Sequence, residues 1–144
     1  MTIVPKSEDL DGKDQNGNSY KVLVTDDESP ARKMIAQILR SSGYTICGEA
    51  ANGKEALEIF KKEEPDLVIL DIHMPIMGGK ETLTKMLEII PDALIVILSF
   101  ENQREMITEF IQAGAKDYLL KPVNRQKLLV KLHKIRRDKV RHPL

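Results

Sequence analysis

Asp26 and Asp27, Asp71, Ser99 and Lys121 are the residues of this chain whose types invite chemistry. Carboxylates bind hard cations or attack electrophiles, a hydroxyl donates a hydrogen bond, and an ammonium stabilises negative charge gathering on oxygen. None of them is informative alone. An acid pair suits any helix N-terminus, an acid can simply end a strand, and a lysine is ordinarily solvated. Their placement is what sets them apart, because each follows a short apolar run. Val22-Leu23-Val24 leads through Thr25 to the acid pair, and Leu67-Val68-Ile69-Leu70 leads to Asp71. Ala93 to Leu98 leads to Ser99, and Tyr118-Leu119-Leu120 leads to Lys121-Pro122.

Those runs read as strands, and the intervals between them read as helices. Ser29 is placed to cap the first helix, with Pro30 in its first turn and a stripe of Ala31, Met34, Ile35, Ile38 and Leu39 ending at Gly43. Tyr44 to Ala50 is a second strand. Asn52-Gly53 opens a helix bearing Ala56, Leu57 and Phe60, which Pro65 closes. A loop from Ile72 to Gly79 precedes a helix with Leu83, Met86, Leu87 and Ile90 on one side, and Met106, Ile107, Phe110 and Ile111 mark the next. Asn124 is placed to cap the last helix, with Leu128, Leu129, Leu132 and Ile135 as its buried side. Strands alternating with helices give an α/β fold, a doubly wound five-stranded parallel sheet with helices on both faces. The third and fourth strands are apolar at consecutive positions, as strands covered on both sides must be. In such sheets ligands bind beyond the carboxyl ends of the strands, where all five candidate residues fall.

The 144 residues suit one domain, and 22 basic against 22 acidic side chains leave no net charge to favour nucleic acid or an anionic membrane. The basic cluster from Lys131 through Arg141 is expected to complement a helix C-terminus. Cys47 is the single cysteine, which excludes an internal disulfide and a cysteine zinc site. No segment approaches the ~18 apolar residues of a membrane span. Met1 to Ser19 has neither the apolar run nor the cleavage pattern of a signal peptide. These features point to a cytoplasmic protein. Residues 1–20 are polar and are expected to form a flexible N-terminal arm, 21–138 the domain, and 139–144 a C-terminal tail.

The set Asp26-Asp27, Asp71, Ser99 and Lys121-Pro122, together with the loop Asp71-Ile72-His73-Met74-Pro75-Ile76-Met77-Gly78-Gly79, resembles the receiver domains of two-component response regulators, the CheY-like family. The resemblance runs from about Lys21 to Asp138. It implies the strand order 2-1-3-4-5, which the flavodoxin-like sheet shares. That order sets the first and third strands side by side and brings three carboxylates together. At about 5 Å and an effective dielectric near 20, each like-charged pair costs about 3 kcal/mol, which a hard divalent cation removes. By resemblance the cation is Mg²⁺, held by Asp27, Asp71 and the backbone carbonyl of His73, with Asp26 acting through water. Asp71 is then the phosphoacceptor, fed by a histidine kinase or phosphotransfer protein. Lys121 and Ser99 stabilise the transferring group, and the Lys121-Pro122 bond is cis.

The family likeness also implies a switch in which Ser99 and Tyr118 move together and alter the face of the fourth helix, fifth strand and fifth helix. A downstream protein would dock there, with the receiver a monomer or a phosphorylation-dependent dimer. The domain is a signalling acceptor and not an enzyme in its own right. Two positions depart from the usual pattern. Phe100 stands where a small residue borders the entrance to the acceptor, so it is expected to affect access. His73 follows Asp71 by two positions, and its side chain is expected at the rim.

Three other readings compete. An aspartyl-phosphate hydrolase wants an acid two positions past its nucleophile, and Asp71-Ile72-His73 offers none. A flavin mononucleotide carrier needs a first loop that welcomes phosphate, and Asp26-Asp27-Glu28 repels it. A receiver cut from a longer regulator remains the alternative to a stand-alone one. The stand-alone form is expected, because the chain ends soon after its last helix.

Overall fold

The computed structural model describes residues 10–137. The chain alternates strand and helix throughout: β1 (Lys21–Thr25), α1 (Ser29–Ser41), β2 (Thr45–Ala50), α2 (Gly53–Glu63), β3 (Leu67–Asp71), α3 (Gly79–Ile89), β4 (Leu94–Ser99), α4 (Arg104–Gln112), β5 (Asp117–Leu120) and α5 (Arg125–Arg137). The strands form one sheet in the order β2-β1-β3-β4-β5, and every pairing is parallel. This is the doubly wound sheet that the alternating pattern predicts.

Successive strand residues feed two separate cores, as a period of two requires. Val22, Val24, Leu67, Ile69, Val96 and Leu98 pack with Ile35 and Leu39 of α1 and Leu128, Leu132 and Ile135 of α5. Their neighbours Leu23, Val68, Leu70, Ile95 and Ile97 pack with Phe60 of α2, Leu83 and Met86 of α3 and Phe110 of α4. Burial of β3 and β4 on both faces leaves their ends as the places where polar groups of these central strands can meet water.

Local signals decide where helices start. Asn52 accepts the Glu55 N–H at 2.9 Å and caps α2, and Asn124 accepts the Lys127 N–H at 2.8 Å as expected. At α1 the expectation fails by one residue. Glu28 is the N-cap residue and Ser29 already lies in the helix, because Asp26 Oδ1 accepts the Glu28 N–H at 2.9 Å and turns the chain earlier.

The largest departure lies before β1. Leu10–Tyr20, expected as part of an arm, packs against the domain. Lys13 and Ser19 form an antiparallel bridge, and the Gly12 N–H donates to the Ser42 carbonyl at 2.7 Å. A Cβ on Gly12 would lie 2.4 Å from the Tyr44 ring, so glycine is what lets this segment lie flat on the domain. Arg136 of α5 donates to the Asp11 carbonyl and to Tyr44 Oη, and its guanidinium stacks 4.6 Å from the Tyr20 ring centre. The boundary set at Lys21 therefore falls inside a packed unit. Polarity hid this, because the strap contributes mainly backbone hydrogen bonds and a surface for Arg136. Residues 1–9 of the expected arm, the 139–144 tail and the end of the basic cluster lie outside the described residues. Among the described residues, no helix is long and apolar enough to cross a membrane.

Candidate functional site

The carboxyl ends of β1, β3, β4 and β5 converge as the parallel register requires. β1 and β3 are neighbours, with Thr25 opposite Leu70, so Asp26 follows on β1 where Asp71 ends β3. One ligand oxygen from each of Asp26, Asp27 and Asp71 lies within 4.8 Å of the others. Asp26 and Asp71 are buried and Asp27 is exposed, which leaves one open side. Lys121 follows β5 directly, and its Nζ lies 2.8 Å from Asp26 Oδ2 and 3.3 Å from Asp71 Oδ2. The Lys121–Pro122 peptide is cis, as the resemblance implies.

Asp71 sits in tension. Burial pushes its pKa above the usual carboxylate value; the His73 N–H and Lys121 pull it back, and Asp26 pushes it up again. Its Oδ1 accepts the His73 N–H at 3.1 Å. For Lys121 the partners win: burial alone would lower its pKa, but the close contact with Asp26 Oδ2 and the attraction of Asp71 and Asp26 outweigh burial and raise it. The ammonium thus stays charged between two carboxylates, with the third, Asp27, alongside them.

This donor set fits a hard divalent cation. The side-chain oxygens are all carboxylate, and Asp26 Oδ2 is buried without an aligned hydrogen-bond donor among the described residues, despite its close ion contact with Lys121. An oxygen left so is costly unless something else satisfies it.

Ser99 ends β4 one step past the Asp71–Leu98 pair, and it is buried. Its Oγ accepts the Glu101 N–H at 2.9 Å, which leaves the hydroxyl proton free to donate. Tyr118 lies inside, and its hydroxyl donates to the Glu101 carbonyl at 2.7 Å. The two residues paired as a switch therefore meet through the backbone of one residue between them. The His73 side chain is exposed at the rim, its Nε2 3.8 Å from Glu101 Oε1. Met74 and Met77 pack against the second core. Phe100 points outward, 66% exposed, with Lys121 Nζ 5.5 Å from its ring centre.

Four residues of the site were not singled out from the sequence. Thr25 donates to the Ile69 carbonyl at 2.9 Å and accepts the Asp71 N–H at 3.3 Å, pinning β1 to β3 beneath the carboxylates. A hydroxyl in a fully buried strand position was the available signal. Arg32 donates to the Asp26 carbonyl at 2.8 Å and holds the first loop from α1. Gly79 lets α3 start against the acceptor, since a Cβ there would lie 2.5 Å from Ile72 Cα and 3.1 Å from the Asp71 carbonyl oxygen. Glu101 contributes through its backbone, which no residue-type argument can foresee.

An acidic crevice with one lysine at the carboxyl edge of a 2-1-3-4-5 sheet defines a receiver-type domain. The response regulator receiver domain family matches residues 22–133, and the chain belongs to that family. It is CheY-like. It is 39% identical over 115 residues to the chemotaxis protein CheY of Thermotoga maritima, covering 80% of this chain and 96% of that one. It is 40% identical over 109 residues to protein CcdB of Bacillus subtilis, covering 76% and 91%. Among solved structures, the complex of CheX, CheY, BeF3 and Mg²⁺ from Borrelia burgdorferi superposes with a TM-score of 0.84 at 31% identity, covering 86% of this chain and 95% of that one. The chain is thus a receiver domain of two-component signalling.

Proposed function

We propose that this receiver accepts a phosphoryl group on Asp71 from a histidine kinase or phosphotransfer protein, and that the phosphorylated form acts by binding a downstream protein. The observation that carries the reading is the Asp71 carboxylate at the end of β3, with Lys121 3.3 Å from one oxygen and Asp26 and Asp27 alongside. A carboxylate oxygen of Asp71 attacks the phosphorus, the phosphorus–nitrogen bond of the donor phosphohistidine breaks, and its electron pair leaves on the imidazole. Lys121 neutralises charge on the transferring oxygens, and the free Ser99 proton donates to one of them. Asp26, Asp27, Asp71 and the His73 carbonyl would hold Mg²⁺, which supplies electrostatic stabilisation of the phosphoryl charge. The Mg²⁺ named in the Borrelia burgdorferi complex supports the choice of cation.

Ser99 and Tyr118 both hold Glu101, so a phosphoryl group that orders the Ser99 hydroxyl acts on the same loop that anchors the Tyr118 ring. Output then passes to the face of α4, β5 and α5. The domain assists its own phosphorylation but is not otherwise an enzyme, and it works in the cytoplasm. The deciding test is Asp71→Asn with a cognate kinase and Mg²⁺. Wild-type protein should take up phosphate that is labile to both acid and base, and the variant should take up none. Uptake by the variant at the wild-type rate removes Asp71 from the role.

A further inference from the structure

Phe100 is a large apolar side chain left mostly in water, and the packing of neither core needs it. Its position is set by the sheet. β4 and β5 pair with Ser99 opposite Leu120, so Phe100 and Lys121 are the next residues along those two strands. The Lys121 N–H closes the pair by donating to the Ser99 carbonyl at 2.9 Å. The Lys121 side chain, 8% exposed, then reaches its carboxylate partners with its ammonium 5.5 Å from the Phe100 ring centre. That distance is inside the ~6 Å reach of a cation–π contact.

We propose that Phe100 is a positioning residue that holds the Lys121 ammonium over the acceptor through the face of its ring. The inference rests on the phosphoacceptor reading above. Lys121 has three N–H donors, and two carboxylates draw on them. Those carboxylates are also the groups that a divalent cation and a phosphoryl group claim. As they are claimed, the counter-charge holding the ammonium weakens at the moment the ammonium is needed. The ring is a partner for which no oxygen ligand competes. It keeps Lys121 beside the transferring group after Asp26 and Asp71 have other partners.

Ring character, not bulk, is therefore what matters, and a substitution series separates the two. Phe100→Trp keeps a ring face, Phe100→Leu keeps apolar bulk without one, and Phe100→Ala removes both. The first readout needs no phosphorylation. The Lys121 Hε protons should show an upfield ring-current shift by nuclear magnetic resonance in wild type and Phe100→Trp, and lose it in Phe100→Leu. An unshifted Lys121 in wild type overturns the contact outright. The second readout is phosphorylation by acetyl phosphate at saturating Mg²⁺. Trp should stay near wild type, and Leu and Ala should both slow by about three- to tenfold. If wild type phosphorylates but Leu matches Phe while Ala is faster, the ring merely obstructs the entrance and the proposal is wrong. If wild type shows the ring-current shift yet never accepts phosphate from any donor, the phosphoacceptor reading has failed while the contact stands. All variants should fold, because the ring contributes little to either core.

Discussion

Lys121 and Arg136 both hold positive charge out of water, one beside the acidic crevice and one on the last helix, and they do so on opposite terms. Lys121 faces carboxylates, so each of its partners is a charge that an incoming ligand can take over. Arg136 faces the Asp11 carbonyl, the Tyr44 hydroxyl and the rings of Tyr20 and Tyr44, all neutral and all supplied by the fold. Arg136 Nε has no aligned partner among the described residues. A cation set among exchangeable charges can respond to a ligand. A cation set among carbonyls and rings can only hold elements together. Burial of charge is thus no sign of function until the partners are named.

The largest effect should come from removing the first cation. Lys121→Met should slow phosphorylation by about 10²–10³-fold, because the charge on the transferring oxygens loses its one ammonium partner. The same variant should stay folded, since methionine fills a similar volume. Single-turnover transfer from a kinase, with a urea melt alongside, measures both. If Lys121→Met transfers normally, the two cations do not differ in kind.

The second cation should show the reverse pattern. Arg136→Met leaves the Tyr44 hydroxyl and the Asp11 carbonyl without their donor and should cost about 2–3 kcal/mol of stability, with phosphotransfer rate unchanged once the protein is folded. Removing the residues before Tyr20 should destabilise as well, because Leu10 and the Gly12–Ser42 hydrogen bond go with them. The two changes share one contact, so their costs should fall short of adding. Full additivity in urea melts would mean that the strap and Arg136 act independently.

Proximity to the crevice does not by itself make a residue part of the chemistry, and Thr25 tests that. Thr25→Val keeps the shape but strips the partner from the buried Asp71 N–H, at a cost of about 1–2 kcal/mol. Its effect should appear in stability first, and in phosphorylation only as far as Asp71 shifts. A loss of rate as large as that in Lys121→Met would place Thr25 in the chemistry itself.

The crevice was far more legible in the sequence than the strap. Asp26, Asp71, Ser99 and Lys121 are polar residues closing apolar runs, and parallel strands bring such positions to one edge whatever the helices do. The alternation of Val22, Leu23 and Val24 between two cores follows from the same periodicity. Leu10–Tyr20 carries no such period. It docks through backbone groups and a glycine, and the arginine that receives it lies more than a hundred residues away. Ser29 was misplaced by one residue because Asp26, counted only for its charge, also shapes the turn. Glu101 escaped notice because its carbonyl and N–H do the work.

The smallest effect, and the sharpest on the comparison, is in alkali. Lys121 binds its proton more tightly folded than unfolded, because Asp26 and Asp71 outweigh the burial that would lower it from 10.5. Its contribution to stability is therefore complete below that value and is lost as pH rises through the higher folded value. Tyr44 loses stability in the same direction, since burial lifts its hydroxyl above 10.0 while Arg136 pulls it part of the way back. The folded protein again holds the proton that the unfolded chain releases first. Wild-type stability in chelator should thus fall across the alkaline range. Lys121→Met deletes one of the two contributions and should make that fall shallower. Arg136→Met deletes the group that restrains Tyr44, so the Tyr44 value climbs further and the fall should extend to higher pH. The two substitutions should therefore change the alkaline profile in opposite senses, which urea midpoints taken stepwise in pH will resolve. Parallel changes in both would show that the partners named for one of these cations are wrong.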